Sequence, residues 1–274
     1  MTKGYLVSEF GGPEVMVWDT LNLGALAADA VRVRVGASGI NFAETRMRAG
    51  DYSGQELPFV MGMEVAGTIE EVGEAVTGLS RGDRVLGRAR GAHADVVDCD
   101  PDHLMLLPDN LSFVQGAAIP VGWLTAWHAL YTVGGMKAGD RILVEAVGGS
   151  VGSAALALAK QAGCWVLGTA SRDEKLAQAA SMGCDAVVNY PRESVSEQVA
   201  QLTQGQGMDI GLMTIGDATA DDLIDSMGMD GRVVMFGSTG GRDITFNLRI
   251  GILNIQLLSM SISTSPAFMT QTMP

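Results

Sequence analysis

The residues best placed to do chemistry are three glycines and, some twenty positions later, two cations. Gly148, Gly149 and Gly152 stand directly after the β-prone run Arg141–Ala146 (RILVEA). Without a Cβ, glycine turns sharply and lets a phosphate approach backbone N–H groups. A helix entered through Ser150 and Val151 would aim its free amides and positive dipole end at the same place. Its next positions, Ser153, Ala154, Ala155, Ala157 and Ala159, are small enough for close packing on a sheet. The pattern is A-x-x-G-x-x-G over Ala146, Gly149 and Gly152, short of a full G-x-G-x-x-G, and alone it also fits a simple tight turn.

The second strand, Cys164–Ala170 (CWVLGTA), adds information. At its tip an NAD-binding unit carries an acid for the ribose 2′-hydroxyl. Here the tip is Ala170, followed by Ser171, Arg172 and Lys175. No carboxylate stands at the tip to repel a 2′-phosphate, and a hydroxyl with two cations would attract one. Ser171-x-x-Glu174 also reads as a capping box for the next helix. That accounts for Ser171 and Glu174 but not for Arg172 and Lys175, since cations in a first turn oppose the helix dipole. The expected cofactor is therefore NADPH rather than NADH.

Elements that could position these residues follow from periodicity. From about residue 120, strands and helices alternate. The strands are Arg141–Ala146, Cys164–Ala170, Asp185–Tyr190, Met208–Ile215, Arg232–Gly237 and Ile255–Ile262; the helices between them include Glu174–Met182, Ser194–Thr203 and Ala218–Met227. Six strands with helical crossovers predict a doubly wound α/β domain with a parallel sheet. The preceding residues read as β-rich and turn-rich. Val31–Val35 (VRVRV) has period 2, Glu64–Val72, Asp83–Leu86 and Ala94–Asp98 are further strands, and no helix-containing repeat is expected before about residue 112. Pro120 marks a hinge, which gives domains over 1–119 and 120–265 and a tail over 266–274.

The 274 residues carry a net charge of −13, which argues against nucleic acid or an anionic membrane as partner. No apolar run of transmembrane length and no signal-peptide core stands out, so a cytoplasmic protein is expected. Cys99, Cys164 and Cys184 form no C-x-x-C pair, and His93, His103 and His128 are scattered, so no metal site is expected.

Several linked stretches resemble the medium-chain dehydrogenase/reductase superfamily, specifically its zinc-free quinone oxidoreductase branch, the zeta-crystallin-like proteins. They are GINFAETRMRAGDY (39–52), LPFVMGMEVAG (57–67), VGEAVTGLSRGDRV (72–85), LPDNLSFVQGAAIP (107–120), LTAWHAL (124–130) and the glycine unit above. The resemblance implies a GroES-like catalytic domain beside a Rossmann domain. Asn41 stands where zinc-dependent relatives carry a Cys, and Met63 where they carry a His; neither supplies the usual zinc ligand. The resemblance further implies that Asn41 lies near the nicotinamide and substrate, and that Tyr52 is a substrate-wall or proton-donor side chain. It puts Thr125 on the nicotinamide ribose, Phe236, Gly237 and Ser238 along the nicotinamide, and Tyr190 by the adenosine phosphate. Each of Asn41, Tyr52 and Thr125 also has a purely structural explanation in loop bonding, packing or a helix-interior hydroxyl.

The implied activity is hydride delivery from NADPH to a quinone or α,β-unsaturated carbonyl, either enone or enoyl thioester. An NADPH-binding structural or sensor protein is the alternative. Glu145, where relatives carry an uncharged or His side chain, is expected to point away from the pyrophosphate. Relatives continue past the position of Pro274 with a segment that closes the catalytic domain, so that domain is expected to lack its closing edge. A homodimer is expected through the apolar edge strand 255–262.

Overall fold

A computed structural model describes residues 1–52, 54–241, 243–245 and 249–260. The chain divides into two compact units; their described residues run over 1–121 and 122–260. The tail over 266–274 lies outside the described residues.

The first unit is built on two antiparallel sheets. Strands β1 (Thr2–Val7), β2 (Met16–Leu21) and β4 (Phe59–Val60) form one, in the order β2-β1-β4; β3 (Val31–Ala37), β5 (Glu64–Val72), β6 (Arg84–Arg88), β7 (Val96–Cys99) and β8 (Leu104–Leu106) form the other, in the order β7-β3-β5-β6-β8. The period-2 reading of VRVRV holds: Val31 and Val33 are fully buried among Val65, Ile69, Val85 and Val97, while Arg32 reaches out to pair with Asp98. A short helix, α1 (Phe42–Arg48), interrupts this β-rich unit, and α2 (Phe113–Ala117) follows it. Pro120 opens a further helix, α3 (Pro120–Trp127), as suits a residue whose φ is already helical.

The second unit holds the expected six-stranded parallel sheet. Its strands are β9 (Arg141–Val144), β10 (Trp165–Ala170), β11 (Ala186–Asn189), β12 (Met208–Met213), β13 (Met227–Met235) and β14 (Gln256–Ser259), in the order β11-β10-β9-β12-β13-β14. The helices are α4 (Ser150–Gln161), α5 (Asp173–Ser181), α6 (Val195–Leu202), α7 (Asp217–Asp225) and α8 (Arg249–Ile252). Alternation along the strands fills both faces. Ile142, Val144, Val166, Ile210 and Leu212 pack with Ala155 and Leu158 of α4, whereas Leu143, Leu167 and Val233 pack with Val199 of α6 and Leu223 of α7. A sheet buried on both sides requires such near-continuous apolar strands.

Three expectations need correction. The helix expected to run to Met227 ends at Asp225, because the strand expected to start at Arg232 already begins at Met227. Asp230, at φ 59°, lies within that longer strand, where its register against β12 shifts. Ser171 does not cap the next helix: Arg172 is the N-cap residue, without a side-chain bond. Asp173 anchors this helix start instead, accepting from Asn189 Nδ2 at 2.6 Å and Arg192 Nη1 at 2.8 Å. The last strand is described over 256–259; positions 261 and 262 lie outside the described residues.

Candidate active site

In the second unit the glycine turn sits at the end of β9. Gly149 is the N-cap of α4; its N–H donates to the carbonyl of Ala146 at 2.8 Å, and its own carbonyl accepts from the Ser153 N–H at 2.9 Å. A Cβ on Gly152 would stand 2.4 Å from the Ala146 carbonyl oxygen and 2.7 Å from Val147 Cα, so only glycine lets the helix lie this close to the strand end. Ala146 holds φ 49°, the left-handed region that ordinary residues seldom enter. The turn thus leads directly into the N-terminus of a 12-residue helix that starts at Ser150. A helix N-terminus entered through such a turn is the kind of place that accepts a phosphate.

Gly148 adds a contact absent from the sequence reading. A Cβ there would lie 2.6 Å from Cδ and 2.8 Å from Cβ of Lys175. The lysine stem therefore rests on the glycine turn, and Lys175 makes no ion pair among the described residues. Arg172 pairs with Glu174 at 3.1 Å, with side chains 64% and 69% exposed. An exposed pair of this kind stabilises by only about 0–1 kcal/mol, so it yields readily to a phosphate. Of the residues expected to read a phosphate, Lys175 lies against the turn, Arg172 and Ser171 are exposed at the β10 tip, and Tyr190 is half-buried just past β11. A cavity of about 60 Å³ lies among Glu145, Thr169, Tyr190, Thr219 and Asp222.

Glu145 turns away from the glycine turn. It is 4% exposed. Its Oε2 accepts the N–H groups of Thr214 and Ile215 at 2.8 and 2.9 Å, and its Oε1 accepts the Thr219 hydroxyl at 2.5 Å. Burial pushes its pKa up, against the pull of these three bonds. Phe236, Gly237 and Ser238 follow directly after β13; a Cβ on Gly237 would meet Thr214, which fixes the glycine at this close approach. Thr125 is buried in α3.

Asn41 and Tyr52 belong to the first unit. Asn41 is the N-cap of α1 and is held from two sides. Its backbone N–H donates to Glu44 Oε2 at 2.6 Å, and its side-chain Nδ2 donates to Glu64 Oε1 at 2.7 Å. The other Glu64 oxygen accepts the Val121 N–H at 2.8 Å. Glu44 and Glu64 are 1% and 3% exposed. Burial raises the pKa of both, and for Glu64 the nearby Glu44 raises it further. Among the described residues Glu44 Oε1 has no hydrogen-bond partner; His93 Nε2 lies 3.8 Å from it and 3.0 Å from the Gly39 carbonyl oxygen. Met63 directly precedes Glu64, and among the described residues no group of three or more His, Cys, Asp or Glu could hold a metal ion. Tyr52 is 46% exposed.

Sequence reasoning did not single out Glu44, Glu64 or His93. Asn41-x-x-Glu44 is a capping-box spacing that could have pointed to Glu44. Nothing local marks Glu64 or His93 as its neighbours.

Comparison with known proteins agrees with this architecture. Residues 27–109 match the alcohol dehydrogenase GroES-like domain, and residues 150–273 match the zinc-binding dehydrogenase family. A quinone oxidoreductase of Pseudomonas aeruginosa is 33% identical over 252 residues, covering 91% of this chain and 78% of that protein. A quinone oxidoreductase-like protein 2 homolog of Nematostella vectensis is 34% identical over 243 residues, covering 87% of this chain and 66% of that protein. The structure of Escherichia coli quinone oxidoreductase, solved as a complex with NADPH, superposes with a TM-score of 0.91 at 29% identity, over 99% of this chain and 85% of that one. No helix among the described residues is long and apolar enough to cross a membrane. With both domain types matched and this likeness along most of its length, the chain belongs to the zinc-free quinone oxidoreductase branch of the medium-chain dehydrogenase/reductase superfamily.

Proposed function

We propose that this protein is an NADPH-dependent reductase whose acceptor is a quinone or an α,β-unsaturated carbonyl, as a free enone or an enoyl thioester. The observation that carries the reading is the glycine cradle with Lys175 resting on it and Arg172 at the acid-free tip of β10. The backbone of Gly148, Gly149, Ser150, Val151 and Gly152 holds the pyrophosphate; Ser171, Arg172 and Lys175 hold the 2′-phosphate, with Tyr190 beside it. Thr125 and Phe236, Gly237 and Ser238 hold the nicotinamide half.

The bound cofactor supplies hydride, and the conjugated acceptor spreads the arriving charge onto oxygen. The protein's task is then to position and polarise, with no metal required. Glu64 takes one amide proton of Asn41 and leaves the other free for an acceptor oxygen, while Glu44 fixes the Asn41 backbone. Tyr52, exposed in the same unit, serves as a wall or proton donor for the acceptor.

The test is a paired titration with NADPH and NADH followed by a panel of quinones, enones and enoyl thioesters. Selective NADPH binding with turnover supports the reading. Tight NADPH binding without any turnover replaces it with a cofactor-holding structural or sensor role, and no binding removes both.

We also assign catalysis to a domain over 1–119 and cofactor binding to one over 120–265. We place the protein in the cytoplasm, in keeping with its free Cys99, Cys164 and Cys184. A homodimer through the last strand is supported by the position of β14 at the end of the sheet, with Leu257 and Leu258 only half-buried. A lone 28.6 kDa particle in light scattering would refute it.

A further inference from the structure

We infer that Glu145 is a positioning residue that sets the nicotinamide side of the cofactor crevice through a hydrogen-bond relay to Thr239 and Gly240, which fixes the adjoining segment Phe236–Ser238. This rests on the NADPH reading above and deepens it.

The relay begins where the order of the strands reverses. β9 has β10 on one side and β12 on the other, so chain order switches between β9 and β12. In doubly wound sheets ligands bind in the crevice at that switch point. Glu145 follows β9 directly, and its carboxylate crosses to the end of β12, taking the N–H groups of Thr214 and Ile215. Both residues pass the constraint on. The Thr214 carbonyl accepts the Thr239 N–H at 3.3 Å, and the Ile215 carbonyl accepts the Gly240 N–H at 2.6 Å. One residue earlier, the Met213 carbonyl accepts the Phe236 N–H at 3.2 Å. Gly237 lies so close to Thr214 that a Cβ would stand 2.5 Å from its hydroxyl and 2.6 Å from its carbonyl oxygen. The segment 236–240 therefore takes its place from 213–215, and 214–215 takes its place from Glu145.

A second attachment fixes the carboxylate itself. Thr219, in the first turns of α7, donates its hydroxyl to Glu145 Oε1. Gly216, the N-cap of α7 at φ +88°, makes the sharp turn between the two attachment points. No hydrophobic side chain at 145 could replace this arrangement, because the half-buried N–H of Thr214 and the buried N–H of Ile215 would lose their acceptor. Glutamine could replace it: its carbonyl accepts both N–H groups and its amide donates to Thr219.

The hydrogen bonds of the relay all run to the end of β12, α7 and the segment after β13, whereas the 2′-phosphate side, with Ser171, Arg172 and Lys175, stands on β10 and α5; Glu145 borders that side only across the small cavity it shares with Thr169 and Tyr190. Two ligands separate these sides: NADPH, which needs both, and adenosine 2′,5′-bisphosphate, which needs only the phosphate-reading side. Glu145→Ala should weaken NADPH about tenfold or more while leaving the bisphosphate within about twofold, and Glu145→Gln should stay close to wild type for both. Thr219→Val removes one bond and should give the same selective pattern at about threefold, which keeps the test readable if Glu145→Ala fails to fold. Unchanged NADPH affinity in Glu145→Ala overturns the inference. So does equal loss of both ligands, which would signal general damage, and so does a Gln variant no better than Ala. A folded wild type that binds the bisphosphate but not NADPH overturns it as well. If wild type binds neither, the cofactor reading itself falls and takes the relay with it.

Discussion

The two units solve the problem of holding a reactive group in opposite ways. In the second, the proposed holder is the backbone: amides at the start of α4 are assigned to the cofactor, and the side chains' main contribution is to be absent at Gly148, Gly149 and Gly152. In the first, side chains hold a side chain: Glu44 and Glu64, both buried, fix Asn41 by its N–H and its amide. A backbone site is damaged by adding atoms. A side-chain site is damaged by removing them, and it also responds to pH, because its clamps can be protonated.

The largest effect that would separate the two follows from addition. Gly152→Val puts atoms into the Ala146 carbonyl and Val147 Cα and should cost about 3 kcal/mol or more, as strain or lost cofactor affinity. Calorimetric binding of NADPH alongside thermal unfolding measures both. A variant with wild-type affinity and stability would mean the cradle does not need its close approach. Next in size is charge removal at the β10 tip. Arg172→Ala with Lys175→Ala should weaken NADPH by about 1–3 kcal/mol in total and NADH far less. Equal weakening would mean these residues do not read the 2′-phosphate.

A smaller effect concerns the acid clamp. Burial raises the folded pKa of Glu44 above its ordinary value of 4.5. The folded state then binds that proton more tightly than the unfolded chain. Its contribution to stability is full below the ordinary value and is lost as pH rises through the raised one. Glu44→Gln keeps an acceptor for Asn41 but cannot ionise, so stability plotted against pH should fall less steeply above about 4.5 than in wild type. An unchanged slope would mean Glu44 is not titrating there. The smallest effect belongs to Ala146, held at φ 49°. Ala146→Gly should stabilise by about 0.5–1 kcal/mol in denaturant unfolding, since glycine enters that region without strain. A loss of stability would refute strain at this position.

The same contrast explains what could be read from residues alone. The glycine turn and the six strands were legible because their signals are local: glycines between a strand and a helix, apolar runs at regular spacing. The first unit's VRVRV strand was legible for the same reason. Asn41 emerged from resemblance, but its clamp did not, because Glu64 and His93 are 23 and 52 positions away in sequence and meet it only after folding. Glu145 was legible as a charge that must turn aside; the amides of Thr214 and Ile215 that receive it, some seventy residues on, were not. At the β10 tip the capping-box signal pointed to Ser171, yet Asn189 and Arg192 from the neighbouring strand end gave Asp173 a better anchor.

The contact between Lys175 and Gly148 ties cofactor choice to the history of the turn. While the lysine stem occupies that space, no side chain can appear at position 148 without displacing it. Replacing Lys175 by a small residue lifts the restriction and, with Lys175 in its proposed role, abandons the 2′-phosphate in the same step. The order of substitutions is therefore constrained: a lineage drifting toward NADH must change position 175 before position 148 becomes free to vary. A library that randomises both sites together should recover side chains at 148 only in clones that have lost the lysine.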